Sequence, residues 1–330
     1  MLLLHAGVDH ASPWGAWSAD WPIVAAGVAA VAVAYLAGWA RLRRRGRPDL
    51  AGSWRAAAFL GGLAVLLLAL VSPLDEVGER YLLTAHMAQH LMIGDIAPIL
   101  LVAGLAGPLM VFAVPRPALR GLARAPALRR ALGVATWPAA AFLLWTAVMV
   151  GWHVPGAYEL ALEQRWAHDL EHASMVLAGL LAWVTVMAAA PRRRMSPARR
   201  AGFAAGLFAV GLIVSQVLLL SGPLYGVYVE QPHRLLGLTP AADQARAALL
   251  MGTEQLMTFG LAVGVLSGRT SSASRGGPPP GVPRWTPPAA AQTFDPARVP
   301  YAVEASSSAS WPGASVAMGG WTSRTEHGAW

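Results

Sequence analysis

The chain has 330 residues, of which 55% are apolar and only 13% charged, too little polar surface to solvate a globule of this length. Its formal charge of +8 comes from arginine, with no lysine, in short clusters between apolar runs; this excludes a continuous basic face for nucleic acid and follows the pattern of membrane topology. Cysteine is absent, which excludes disulfides, thiolate metal sites and cysteine nucleophiles and leaves any soft-metal chemistry to His and Met.

Residues 1–20 lack the basic start and cleavage site of a signal peptide, and the first apolar run begins near Trp21, so that run is expected to be retained. Seven segments have the length and apolarity to span a bilayer, at about 22–40, 56–72, 81–104, 136–152, 172–190, 202–222 and 247–267. Gly94, Asp95 and Pro98 interrupt the third, and Leu105 to Val114 reads as a continuation of it or as a re-entrant piece. Arginines crowd the first loop (Arg41 to Arg55), the third (Arg116 to Arg130) and the fifth (Arg192 to Arg200), whereas the alternate loops hold Arg80, then Arg165, then Arg234 and Arg246. By the positive-inside rule the N-terminus lies outside and the C-terminus in the cytoplasm. After residue 268 the composition shifts to Gly, Pro, Ser, Ala and Thr, which cannot build a core, so 269–330 is expected to be a disordered cytoplasmic tail. The expected fold is therefore an all-α integral membrane protein: an external segment 1–20, a bundle of seven transmembrane helices over 21–268, and the tail.

Chemistry-bearing residues gather near one end of the spans. In YLLTAHMAQHLMIGD, His86 and His90 are four apart on a helix and share a face, about 6 Å apart at Cβ, with Met87 and Gln89 beside them. The fifth span opens with RWAHDLEHASM, where His168 and His172 repeat that offset around Glu171. Trp152 and His153 end the fourth span. With the topology above, five histidines from three helices fall at similar depth near the outer face. Asp243, Gln244, Met251 and Glu254 enter from the same side on the last helix. A single histidine at a membrane boundary is explained by snorkelling or by a bond to a backbone carbonyl; five at one depth indicate a shared metal or haem site. Ordinary packing accounts for each methionine taken singly, and only Met87 and Met251 gain from their neighbours. Imidazole suits copper, zinc, iron and nickel, whereas thioether selects copper(I), so the mixture leans to copper. Gln89, Glu171, Asp243 and Gln244 are read as support around the ligands; Glu171, Asp95 and Asp243 could orient ring nitrogens.

Two other readings stay open. His168-x-x-Glu171-His172 fits the H-x-x-E-H pattern of zinc peptidases, which would make the protein a membrane zinc hydrolase with Glu171 as base and leave His86 and His90 unexplained. The histidines could also ligate haem b in a membrane redox protein, although i, i+4 pairs on one helix more naturally share a single ion.

Three blocks carry a resemblance to a known family: Ser72-Pro73-Leu74 to His86-Met87-x-Gln89-His90, then Trp152-His153-x-Pro155 to His168-x-x-Glu171-His172, then Asp243-Gln244 to Met251. In this order, over about residues 20–268, the chain resembles the CtaG-type cytochrome c oxidase assembly factors. The resemblance implies a seven-helix protein of the bacterial inner membrane, not an enzyme, that matures haem-copper cytochrome c oxidase by holding or supplying copper and meets the oxidase subunits. The family's characteristic positions fall here on His86, Met87, Gln89, His90, His153, His168, Glu171, His172, Asp243, Gln244 and Met251. The metal ligands expected are His86, Met87, His90, His153, His168, His172 and Met251.

Overall fold

In the computed structural model the described residues are 13–105, 107–187 and 195–275, and they are helical with no strand among them. The tail expected over 269–330 lies outside them beyond residue 275. Apolar runs give the long helices: α1 (Trp21–Arg44), α2 (Ser53–Val71), and, after the short α3 (Pro73–Arg80), α4 (Leu83–Leu105). A basic stretch then forms α5 (Arg116–Arg124) and α6 (Pro126–Ala135), which meets α7 (Pro138–Trp152) at a bend of 76°. The short α8 (Pro155–Glu163) leads into α9 (Arg165–Val186), followed by α10 (Pro197–Leu220), the single turn α11 (Gly226–Glu230) and α12 (Pro240–Thr270), which stays helical to Arg275. Six of these helices are long and apolar enough to cross a membrane, and seven when α6 and α7 count as one bent span. Their outward faces carry apolar side chains such as Ile23, Leu143, Ile213 and Leu220, the last 81% exposed, as lipid contact requires.

Two helices begin earlier than hydropathy alone indicates. α9 starts at Arg165 and α12 at Pro240, where Thr239 caps the first turn by accepting from the Ala242 N–H at 3.2 Å. Each opens with a polar first turn that an apolar window does not register. His168, His172, Asp243 and Gln244 therefore lie within helix, not ahead of it.

Gly94, Asp95 and Pro98 do not break the third span. A π turn over Met92–Ile96, closed by the Ala97 N–H on Met92 O, takes up the irregularity and the helix continues. Pro98 has no N–H to offer the Gly94 carbonyl, and Gly179 of α9 packs directly on that carbonyl; a Cβ at Gly179 would be 1.9 Å from it. α12 carries a matching π turn at Leu256–Gly260. Beyond α4 the chain does not extend the span: it reverses at Gly107 (φ 78°), and the turn Leu109–Phe112 packs on α1 at Gly38.

Candidate metal centre

α4 and α9, drawn together at Gly94 and Gly179, present their histidine pairs to one another. Ring centroids of His86 and His90 lie 4.2 Å apart, those of His168 and His172 4.1 Å; across the helices His86 faces His168 at 5.9 Å and His90 faces His172 at 5.6 Å. One ligand atom from each of His86, His168, Glu171 and His172 falls within a group spanning no more than 4.8 Å, and all four residues are buried. His90 closes the box from the other side, its Nε2 3.7 Å from Glu171 Oε1.

The nitrogens facing this box lack protein partners. Nε2 of His86, His90, His168 and His172 and both carboxylate oxygens of Glu171 are buried without a hydrogen bond. Leaving a buried polar group unsatisfied costs about 1–3 kcal/mol, and His86, His168, Glu171 and His172, with ligand atoms within 4.8 Å of one another, could hold a metal ion. Glu171, expected to support the ligands, here offers one oxygen to the same group as the histidines.

Hydrogen bonds on the far sides of the rings decide which nitrogen is free. The Tyr228 hydroxyl donates to Gly78 O at 2.7 Å, so Tyr158 donates to Tyr228 at 2.9 Å and His86 Nδ1–H donates to Tyr158 at 2.7 Å. That relay leaves the lone pair of His86 on Nε2, facing the box. Burial pushes both phenols well above their usual range, which keeps them protonated. His153 donates from Nδ1 to Met149 O at 2.6 Å, which again frees Nε2, and His168 Nδ1 lies 3.1 Å from Glu79 Oε1.

His153 does not join the box. It lines an adjoining cavity of about 30 Å³ with His90, Met87, Met149, Met175 and Met251. The two methionines singled out in the sequence are thus beside this cavity.

On the other side, His168 and His172 border a larger cavity of about 690 Å³ whose wall includes Asp20, Asp75, Glu76, Glu79 and Asp169, with Arg80 and Arg165. Asp75, Glu79 and His168 also bring ligand atoms within 4.8 Å of one another. Burial, and then the neighbouring Glu79, pushes the Asp75 carboxyl up to about 6, while burial and Glu76 raise Glu79. This acidic vestibule leads to the histidines.

The remaining polar residues make no hydrogen bond to a histidine ring. Asp243 caps α4, accepting from Leu83 N at 2.7 Å and Thr84 N at 3.0 Å. Gln244 ties the end of α10, accepting from Leu224 N at 2.8 Å and donating to Leu218 O and Gly222 O, both at 2.9 Å. Gln89 donates to Ala69 O at 2.9 Å and to Asp75. Asp95 accepts from Trp183 Nε1 at 3.2 Å and Gln255 Nε2 at 3.3 Å, away from the rings. Conversely, Tyr158, Tyr228, Asp75, Glu79, Met149 and Met175 escaped the sequence reading. Asp75 and Glu79 have the same i, i+4 offset as the histidines, as do Met149 and His153, and that offset was the available signal.

Uncharacterized protein Mb0105 of Mycobacterium bovis and uncharacterized protein MT0111 of Mycobacterium tuberculosis are each 30% identical to the chain over 193 residues, 55% of its length. The chain spans 28% of the length of these relatives. No solved structure matches it. The family described as cytochrome c oxidase caa3 assembly factor (Caa3_CtaG) matches residues 33–272, a range that includes the histidine box and its tyrosine relay, and the chain belongs to that family.

Proposed function

We propose that the protein is a non-catalytic copper-handling assembly factor for haem-copper cytochrome c oxidase in the bacterial inner membrane, with the N-terminus and the histidine box toward the outer face and the C-terminus in the cytoplasm. The observation that carries this reading is the convergence of His86, His168, Glu171 and His172 within 4.8 Å, buried and without protein partners at the converging atoms. Copper is cargo here. The acidic vestibule concentrates cations at the outer mouth, and the histidines take the ion up. His86 is held in the tautomer that ligates through Nε2, a donor suited to copper. Met87 and Met251, one cavity further in, favour the reduced ion. The oxidase subunits are the recipients.

The zinc hydrolase reading draws on the same residues. Its general base must stand off the metal to activate a water, whereas Glu171 itself offers an oxygen within the 4.8 Å group; this favours binding over hydrolysis. A haem would need ligands facing one another across a ring, and the four-ring box is too tight for one.

The test is metal analysis of the detergent-purified protein after loading with copper(I), copper(II) or zinc, beside a variant with His86, His90, His168 and His172 all changed to Ala. Copper retained by the wild type and lost by the variant is the expected result. Zinc alone surviving purification, or no metal retained, overturns the reading. In cells, a strain lacking the protein should make copper-poor oxidase under copper limitation.

A further inference from the structure

The cavity beside the histidine box is lined by Met87 and His90 from α4, Met149 and His153 from α7, Met175 from α9 and Met251 from α12. Four of the chain's 11 methionines thus surround about 30 Å³ of space. A single water needs roughly 10–15 Å³ measured this way, so the space holds an ion and little else. Packing alone does not call for this composition, since leucine fills an apolar gap between helices equally well.

Two imidazoles and one carboxyl group give the cavity its polarity; the carboxyl, Asp95, is engaged by Trp183 Nε1 at 3.2 Å and Gln255 Nε2 at 3.3 Å. His90 is 6% exposed and neither of its ring nitrogens has a protein partner. The His153 Nδ1–H is committed to Met149 O, which leaves an unprotonated and unpartnered Nε2. The same i, i+4 contact places the Met149 side chain one turn below the ring. Thioether donors are neutral, soft and weak. They discriminate against hydrated divalent cations and suit a monovalent d10 ion, which accepts few ligands and no water.

We propose that this chamber is a second metal site, distinct from the histidine box, that binds copper(I) through Met149 and Met175 together with Met87, Met251 and His153, with His90 as the wall shared by the two sites. The identity of the cargo rests on the copper reading of the box; the chamber's softness does not. An ion leaving the box passes His90 into a site with no carboxylate ligand from the box, so the pair of sites sorts the reduced ion from the divalent ones.

The experiment uses the full chain in detergent, titrated with silver(I) as a redox-inert monovalent probe and, separately, with zinc, and examined by X-ray absorption at the silver edge. The expected result is a sulfur-ligated silver ion in the wild type. Met149→Leu with Met175→Leu should remove that ion, lowering silver uptake by one per chain while zinc uptake at the box is unchanged. His168→Ala with His172→Ala should abolish zinc uptake and leave the sulfur-ligated silver in place. Absence of sulfur neighbours around silver in the saturated wild type, a measurement needing no variant, overturns the proposal, as does sulfur ligation that persists when Met87→Leu, Met149→Leu, Met175→Leu and Met251→Leu are combined. If the sulfur-ligated silver is present while neither copper nor zinc binds the box, the chamber stands and the copper reading of the box fails.

Discussion

Gly179 and Gly94 are in backbone contact: a Cβ built on Gly179 falls 1.9 Å from the Gly94 carbonyl oxygen. This approach sets the separation of α4 and α9, and with it the distance between the two histidine pairs. Gly179→Ala should force the helices apart. The cost of such overpacking is about 1–3 kcal/mol, and the widened box should lose most of its metal affinity. Thermal unfolding in detergent and a metal titration check this; full metal affinity in the variant would show that the box does not depend on the close approach.

The relay from His86 through Tyr158 and Tyr228 to Gly78 predicts an effect without loss of shape. Tyr158→Phe combined with Tyr228→Phe keeps the ring that stacks on Tyr225 at 4.0 Å but removes both acceptors, at 2.7 and 3.1 Å from His86 Nδ1, that fix the imidazole tautomer. Metal affinity should fall about 10–100-fold. A competition titration with a chelator of known affinity measures it, and an affinity within twofold of wild type would exclude a role for the relay.

On the copper reading, Glu171 would contribute charge as well as a donor atom to the bound ion. Glu171→Gln retains its volume and should weaken zinc and copper(II) on the order of tenfold, about 1.4 kcal/mol, with a smaller effect on copper(I), because the Coulomb contribution scales with the charge of the ion. Parallel titrations with the three ions give the comparison. Equal losses for all three would mean that the carboxylate acts through geometry and not through charge.

Asp243 predicts the opposite pattern. Its carboxylate holds the first turn of α4 through Leu83 N and Thr84 N. Asp243→Ala should therefore cost about 1–2 kcal/mol of stability, as loss of a helix cap does. The folded fraction should still take up its full complement of metal. A lower melting temperature with unchanged metal per folded chain is expected; loss of metal without loss of stability would return Asp243 to the site.

Much of this was legible in the sequence because it follows from local periodicity. Apolar runs of sufficient length report spans whatever packs beside them. Histidines four residues apart share a helix face in any tertiary context, so the pairs at His86 and His90 and at His168 and His172 could be read as ligating faces. The order of the three blocks pointed to the family. What periodicity leaves open is how far each helix is rotated and how closely it meets its neighbour. Those depend on small-residue contacts such as Gly179 on Gly94, and on which buried donors and acceptors must be satisfied. The tertiary structure accordingly moved Glu171 into the ligand group and set His153 in a separate cavity with Met149. It committed Asp243 and Gln244 to backbone groups that would otherwise be buried unpaired. Sequence determined which residues carry the chemistry; only the packing of α4, α7, α9 and α12 decided which atoms face the same point, because a helix fixes its own faces and its neighbours fix where those faces look.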